Sequence, residues 1–214
     1  MRKIKFTEGK IYHIYNRGVE KRDIFLDDKD YFRFIHDLFE FNDEKPALNS
    51  YYEAKPRKIE KRKLLVEILV FTLMPNHFHL LLRQRQDNGI ANFMHKLGGG
   101  YTMYFNQKYE RTGSLFQGTF KAVLVEKDAQ FLHIPDYIHL NPLDLKSPEW
   151  KNKEIKNYKE AMKFLENYRW SSFRDYIGKK NFPSVTQRKF LMKFFGGPIQ
   201  YKKSTLINLR GLAS

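Results

Sequence analysis

The 214-residue sequence contains no cysteine, which excludes disulfides, thiolate metal centres and the small secreted folds that depend on disulfide bonds. Long hydrophobic runs are missing as well. The longest, LLVEILVFTLM (Leu64–Met74), falls short of the roughly 20 apolar residues a membrane-spanning helix needs, and it carries Glu67. No apolar segment follows the basic residues of the opening MRKIKFTEGKIYHIYNRG, so no secretory signal is expected. Acidic residues are scarce relative to basic ones: 24 Asp and Glu face 39 Lys and Arg, a formal net charge of +15. These features predict a soluble cytoplasmic protein with a polyanionic partner, nucleic acid before an anionic membrane surface.

What the chain does have is apolar mass, 42% hydrophobic and 16% aromatic residues, enough for a substantial core and too much for a disordered chain. KIYHIYNRG (Lys10–Gly18) alternates and reads as a first strand ended by Gly18. LDDKDYFRFIHDLFEFN (Leu26–Asn42) places Phe32, Ile35, Leu38 and Phe39 at helical spacing behind an Asp27 or Asp28 cap. Asp43–Lys63 has no apolar period and reads as a mobile basic insertion. Leu64–Pro75 and HFHLLLRQ (His77–Gln84) form a predicted hairpin across Pro75–Asn76. Asn88–Gly113 predicts a second helix interrupted or hinged at Gly98–Gly100; three interior glycines cost roughly 2–3 kcal/mol relative to alanine, so a break or a close backbone approach is expected there. Leu115–Glu126 predicts a strand, and Asp128–Pro142 a third helix that Pro135 should kink or restart. After Lys146 come helical stretches near Glu154–Leu165 and Thr186–Phe195.

The order β-α-β-β-α-β-α, with its middle strands joined too tightly for a parallel crossover, predicts an α+β fold. The expected architecture is ferredoxin-like (RRM-like): a mostly antiparallel sheet with helices packed on one face, plus a C-terminal helical extension. Residues 10–145 would form the functional domain and residues 146–214 the extension packed on it.

Two histidines sit inside LMPNHFHLLL (Leu73–Leu82). Alternation sends Phe78, Leu80 and Leu82 to one face of the strand and His77, His79, Leu81 and Arg83 to the other. Two imidazoles side by side can share one divalent ion, although most H-x-H pairs taken alone are merely outward polar positions. In DYIHLNP (Asp136–Pro142), Tyr137 and Asn141 lie four apart and share a helical face. A phenol oxygen and an amide oxygen would then point at one spot; His139 falls on another face and is left out. Phosphodiesterases that use paired H-x-S/T motifs are excluded, because no histidine here is followed two residues later by Ser or Thr. An RNA-binding sheet of the same topology would carry an aromatic-rich strand of the RNP type, which HFHLLLRQ is not.

Taken in order, YHIYNRG (Tyr12–Gly18), LMPNHFHLLL, YTMYFNQKYERTGSLFQGTFK (Tyr101–Lys121), YIHLNP (Tyr137–Pro142) and WSSFRDYIG (Trp170–Gly178) resemble the REP-associated tyrosine transposases. Those are relatives of the single-tyrosine insertion-sequence transposases within the His-hydrophobic-His (HUH) nucleases. The resemblance implies an endonuclease and strand transferase that cuts single-stranded DNA at or near hairpins through a 5′-phosphotyrosine. It implies Tyr137 as nucleophile and His77, His79 and Asn141 as ligands of Mg²⁺ or Mn²⁺. Three neutral ligands would hold Mg²⁺ weakly and Mn²⁺ more tightly. Arg17, Arg83, Arg111, Lys121 and the basic residues Arg57, Lys58, Arg62 and Lys63 are candidate phosphate contacts. Tyr101 and Tyr104 could stack on bases, but their helical spacing favours core packing. The implied partner is single-stranded or hairpin DNA, with no membrane, and the protein would act as a monomer or homodimer. A domesticated relative that binds hairpin DNA without cutting is the alternative.

Overall fold

The computed structural model describes residues 5–46, 62–126, 128–152 and 154–211. Four strands, β1 (Ile11–Arg17), β2 (Val66–Met74), β3 (His77–Gln84) and β4 (Lys121–Val125), form one sheet in the order β2-β3-β1-β4. Every neighbouring pair is antiparallel, as the tight Pro75–Asn76 link between β2 and β3 requires.

Alternation along the strands builds two cores. Tyr12, Ile14, Phe78, Leu80 and Leu82 face α1 (Asp28–Glu40) and α2 (Gly89–Lys108) and pack there with Phe34, Leu38, Phe93, Leu97 and Tyr101. Helix α1 starts at Asp27, whose carboxylate accepts the Asp30 backbone N–H at 3.0 Å while Asp30 reaches back, a capping box. Tyr101 donates to the Ile24 carbonyl at 2.5 Å from a fully buried position, so its role is core. Tyr104 donates to buried Asp30.

The opposite sheet face, through Leu69, Val70 and Leu81, is covered by α3 (Asp128–Leu140) and by α4 (Tyr158–Asn167), α5 (Phe173–Tyr176), α6 (Lys189–Phe195) and α7 (Pro198–Gly211). Strand β2 is therefore buried on both faces, which is why its sequence is an unbroken apolar run rather than an alternation. Its outer edge is closed by the Trp170–Ser172 segment. Leu73 N–H donates to the Trp170 carbonyl at 2.8 Å, and Ser172 N–H donates to the Phe71 carbonyl at 3.0 Å. An open edge would offer unpaired backbone groups to other chains.

Four expectations need correction. Helix α2 runs through Gly98–Gly100 without a break. Gly100 is needed for close approach, because a Cβ there would sit 2.5 Å from the Phe41 ring, whereas Gly98 and Gly99 have open space beside them. Helix α3 contains Pro135 in its interior and does not restart there; Ile138 packs in the second core and Asp136 and His139 bond to α7 and its neighbours, so tertiary contacts outweigh the lost hydrogen bond. The strand expected over Leu115–Glu126 is confined to β4, since Gly118 turns the chain at φ +66°. Helix α7 was not expected. Most of the basic insertion, including Arg57 and Lys58, lies outside the described residues.

Candidate active site

The site forms where the start of β3, the end of β1 and the C-terminal end of α3 meet. A cavity of about 850 Å³ is lined there by His77, His79, Tyr137 and Asn141, with Arg17, Lys21, Lys121 and Lys151 among its walls. The His77 and His79 rings are 5.1 Å apart between centroids. The Tyr137 ring lies 6.1 Å from that of His79, nearly perpendicular to it, and 6.0 Å from Trp150. Tyr137 is 39% exposed, so its phenol can meet a ligand from solvent. Asn141 is the first residue of a 3-10 turn (Asn141–Leu145), just past α3 rather than within it, and still lines the same cavity.

Hydrogen bonding fixes which atoms of these side chains are bare. Asn141 Nδ2 donates to the Tyr137 carbonyl at 2.7 Å; a carbonyl only accepts, so the amide is oriented, and Oδ1 has no hydrogen-bond partner among the described residues. Asn76 Nδ2 donates to the Lys21 carbonyl at 3.2 Å, which turns Asn76 Oδ1 toward His77 Nδ1 at 2.6 Å. Because that oxygen only accepts, His77 carries its proton on Nδ1 and presents a bare Nε2. Lys21 and its neighbour Glu20 hold φ of 61° and 56°, a left-handed conformation that costs a non-glycine residue roughly 1–2 kcal/mol. Burial holds both site histidines neutral. His77 is lowered to about 4, with Asp144 opposing the shift, and His79 well below its ordinary value, with His13 and His77 adding to the burial effect.

Two imidazole nitrogens and one amide oxygen are a donor set that fits a divalent ion of the Mg²⁺ or Mn²⁺ type. Among the described residues no group of three or more His, Cys, Asp or Glu side chains is placed to hold a metal, so the amide is needed to complete any such set.

Of the candidate phosphate contacts, Arg17 and Lys121 reach this cavity. Arg17 is steadied by Gln117 Oε1. Arg83 does not reach it: six residues along β3 from His77, roughly 20 Å away, it pairs with Glu67 and stacks over Phe190. Arg62 braces the Phe39 and Asn42 carbonyls and lies 3.9 Å over the Phe39 ring. Lys63 pairs with Glu44 at 3.4 Å. Arg111 donates to Asn106. His139, left out on helical phase, is indeed elsewhere, buried between Tyr201 and Ser172.

Sequence reasoning missed Lys21, Asn76, Asp144 and Lys151, which line the cavity, and His13, which sits behind it. Asp144 accepts from Trp150 Nε1 at 2.7 Å and pairs with Lys151. Asn76 adjoins the histidine motif and could have been found there. The others join the site only through tertiary folding.

The family model "Transposase IS200 like" matches residues 41–141, a span that contains both histidines, Tyr137 and Asn141. That span, a little under half of the chain, is similar to the IS200-like transposases. Among solved structures, it is similar to a REP-associated tyrosine transposase bound to a REP hairpin, at 13% identity and a TM-score of 0.56, over 86% of this chain and 89% of that one. That likeness concerns the fold. A candidate transposase from Deinococcus radiodurans R1 aligns more loosely, at 16% identity and a TM-score of 0.38, over 64% of this chain and 95% of that one. No curated protein matches the chain. Among the described residues no helix is long and apolar enough to cross a membrane.

Proposed function

We propose that this chain is an IS200-like transposase that cuts and rejoins single-stranded DNA at or near hairpins, with Tyr137 as nucleophile. The observation that carries the reading is the convergence of Tyr137, Asn141, His77 and His79 on one cavity walled by Arg17, Lys21, Lys121 and Lys151. Tyr137 Oη would attack the scissile phosphorus, forming a Tyr–O–P bond as the P–O3′ bond breaks. The phenol loses a proton and the departing 3′-oxygen gains one, leaving a 5′-phosphotyrosine and a free 3′-hydroxyl. The exchange conserves the phosphodiester bond energy, so rejoining is the same step in reverse. The four cations offset phosphate charge and hold the strand. His77 and His79 through ring nitrogens and Asn141 through Oδ1 would hold Mg²⁺ or Mn²⁺, which supplies Lewis-acid polarisation of the phosphate. An adjoining cavity of about 840 Å³, sharing Asn16 and Lys121 with the first, offers room for the neighbouring nucleotides. The hairpin bound to the structurally similar REP-associated transposase supports hairpin DNA as the substrate class.

The test is a denaturing gel of the protein incubated with labelled hairpin-bearing single strands and Mn²⁺ or Mg²⁺. The expected result is a metal-dependent covalent adduct that disappears in Tyr137→Phe. Tight hairpin binding with no cleavage by the wild type across several repeat sequences would instead favour a non-cutting DNA-binding module.

A further inference from the structure

His77 and Asn141 are oriented by backbone carbonyls, directly or through Asn76, but His79 has no such anchor. Its Nδ1 faces a second imidazole, His13 Nε2, at 2.9 Å. The contact follows from register. Strand β1 pairs antiparallel with β3 so that His13 lies opposite Leu81 and Tyr15 opposite His79. His13 is therefore the diagonal neighbour of His79 on the same sheet face, a separation that ring side chains can bridge. The two rings lie 5.1 Å apart at 20°. Both are buried, at 7% exposure each. A neutral imidazole has one donor nitrogen and one acceptor nitrogen, so one of the pair must donate and the other accept.

We infer that His13 is a positioning residue for metal binding: its Nε2 accepts the Nδ1–H of His79 and thereby locks His79 with a bare Nε2 toward the metal. In that state His77 and His79 share one tautomer, the first fixed by Asn76 and the second by His13. The opposite arrangement would put the proton on His79 Nε2 and remove a ligand. This inference rests on the metal-dependent reading proposed above. Residues that fix a ligating histidine through its far nitrogen are worth roughly 10–100-fold in metal affinity. A residue that only filled the core would be replaceable by a ring of similar size.

The experiment uses the full chain in three forms: wild type, His13→Phe, which keeps a ring but has no acceptor, and His13→Gln, whose amide oxygen can accept the same proton. Mn²⁺ affinity is measured by titration, and the His79 tautomer by ¹⁵N NMR of the metal-free protein labelled at histidine. The expected results are a His79 proton on Nδ1 in the wild type, a loss of roughly 10–100-fold in Mn²⁺ affinity in His13→Phe, and recovery in His13→Gln. A wild-type His79 proton on Nε2 would overturn the role of His13, as would undiminished Mn²⁺ binding in His13→Phe beside a wild type that binds. A wild type that binds no Mn²⁺ at all would bring down the metal reading itself, a result distinct from the other two.

Discussion

Asn141 shows how much a single hydrogen bond decides at the residue scale. Its Nδ2 contact to the Tyr137 carbonyl fixes the amide at the wall of the cavity and couples the candidate third ligand to the backbone of the candidate nucleophile. Replacing Asn141 with Leu should cost about 1 kcal/mol of stability for the lost hydrogen bond and lower Mn²⁺ affinity, read by denaturant titration and by metal titration. The histidines carry a pH prediction. Because His77 is held near 4 and His79 well below its ordinary value, neither must release a proton to bind metal at neutral pH. Mn²⁺ affinity should stay level from about pH 7.5 down to about pH 5.5, whereas unperturbed imidazoles would lose affinity below about 6.5. Titrations across that range decide it. His77, His79, Tyr137 and Asn141 were legible because each pair is close in sequence, so strand or helix periodicity brings it to one face. His13 was not, because its contact with His79 depends on the register of two strands 66 residues apart.

At the scale of elements, α3 is held by its neighbours rather than by its own sequence. Its Asp136 accepts from Thr205 at 3.3 Å and from Asn208, and His139 joins Tyr201 at 2.7 Å to Ser172 at 2.8 Å. This clamp carries the helix through Pro135 and aims Tyr137. His139 is fully buried and lowered by burial to about 3. Its folded-state value lies below the unfolded one, so the unfolded chain takes up the proton first as pH falls. The stability it contributes is complete above about pH 6.5 and lost toward the folded value, about 3 kcal/mol by pH 4. Chemical unfolding between those pH values should show that loss, and His139→Gln should be less stable at neutral pH yet lose less on acidification. The glycines of α2 give a second contrast. Gly100→Ala should destabilise by about 1–3 kcal/mol through its clash with Phe41, while Gly98→Ala should stabilise by roughly 0.5–1 kcal/mol. Thermal melts of the two variants separate these outcomes. Strand positions and α1 were legible from alternation and capping. Of the two readings of the glycine run, the close approach holds at Gly100 and the break does not, because the approaching group, the Phe41 ring, is a tertiary contact that the sequence does not name; α7 escaped notice because PIQYKKSTLINLRG shows little one-sided apolar pattern.

Over the whole molecule, a net charge of +15 is not spread evenly in effect. Arg83, Arg85 and Arg62 are engaged by carboxylates or carbonyls away from the candidate site, while Arg17, Lys21, Lys121 and Lys151 border it, Lys151 in a pair with Asp144. Binding of single-stranded DNA should therefore weaken steeply with salt, and Lys21→Ala should lower the slope of log affinity against log salt by about 0.7. Arg83→Ala should leave that slope unchanged. The sheet and its two leading helices could be foreseen from the order of elements. The covering of the second sheet face by the C-terminal helices could not, because the continuous apolar run of β2 fits burial on either one face or two. The central claim, that Tyr137 becomes joined to the 5′ side of a cut strand, is tested most directly by the polarity of the adduct. Hairpin-bearing DNA labelled on one side or the other of the cut would be incubated with the protein and Mn²⁺, and the covalent product digested and mapped by mass spectrometry. The account predicts that the downstream fragment is attached through its 5′-phosphate to the peptide bearing Tyr137, with the upstream fragment released as a free 3′-hydroxyl. Attachment of the upstream fragment, attachment at another residue, or cleavage without any adduct would contradict it.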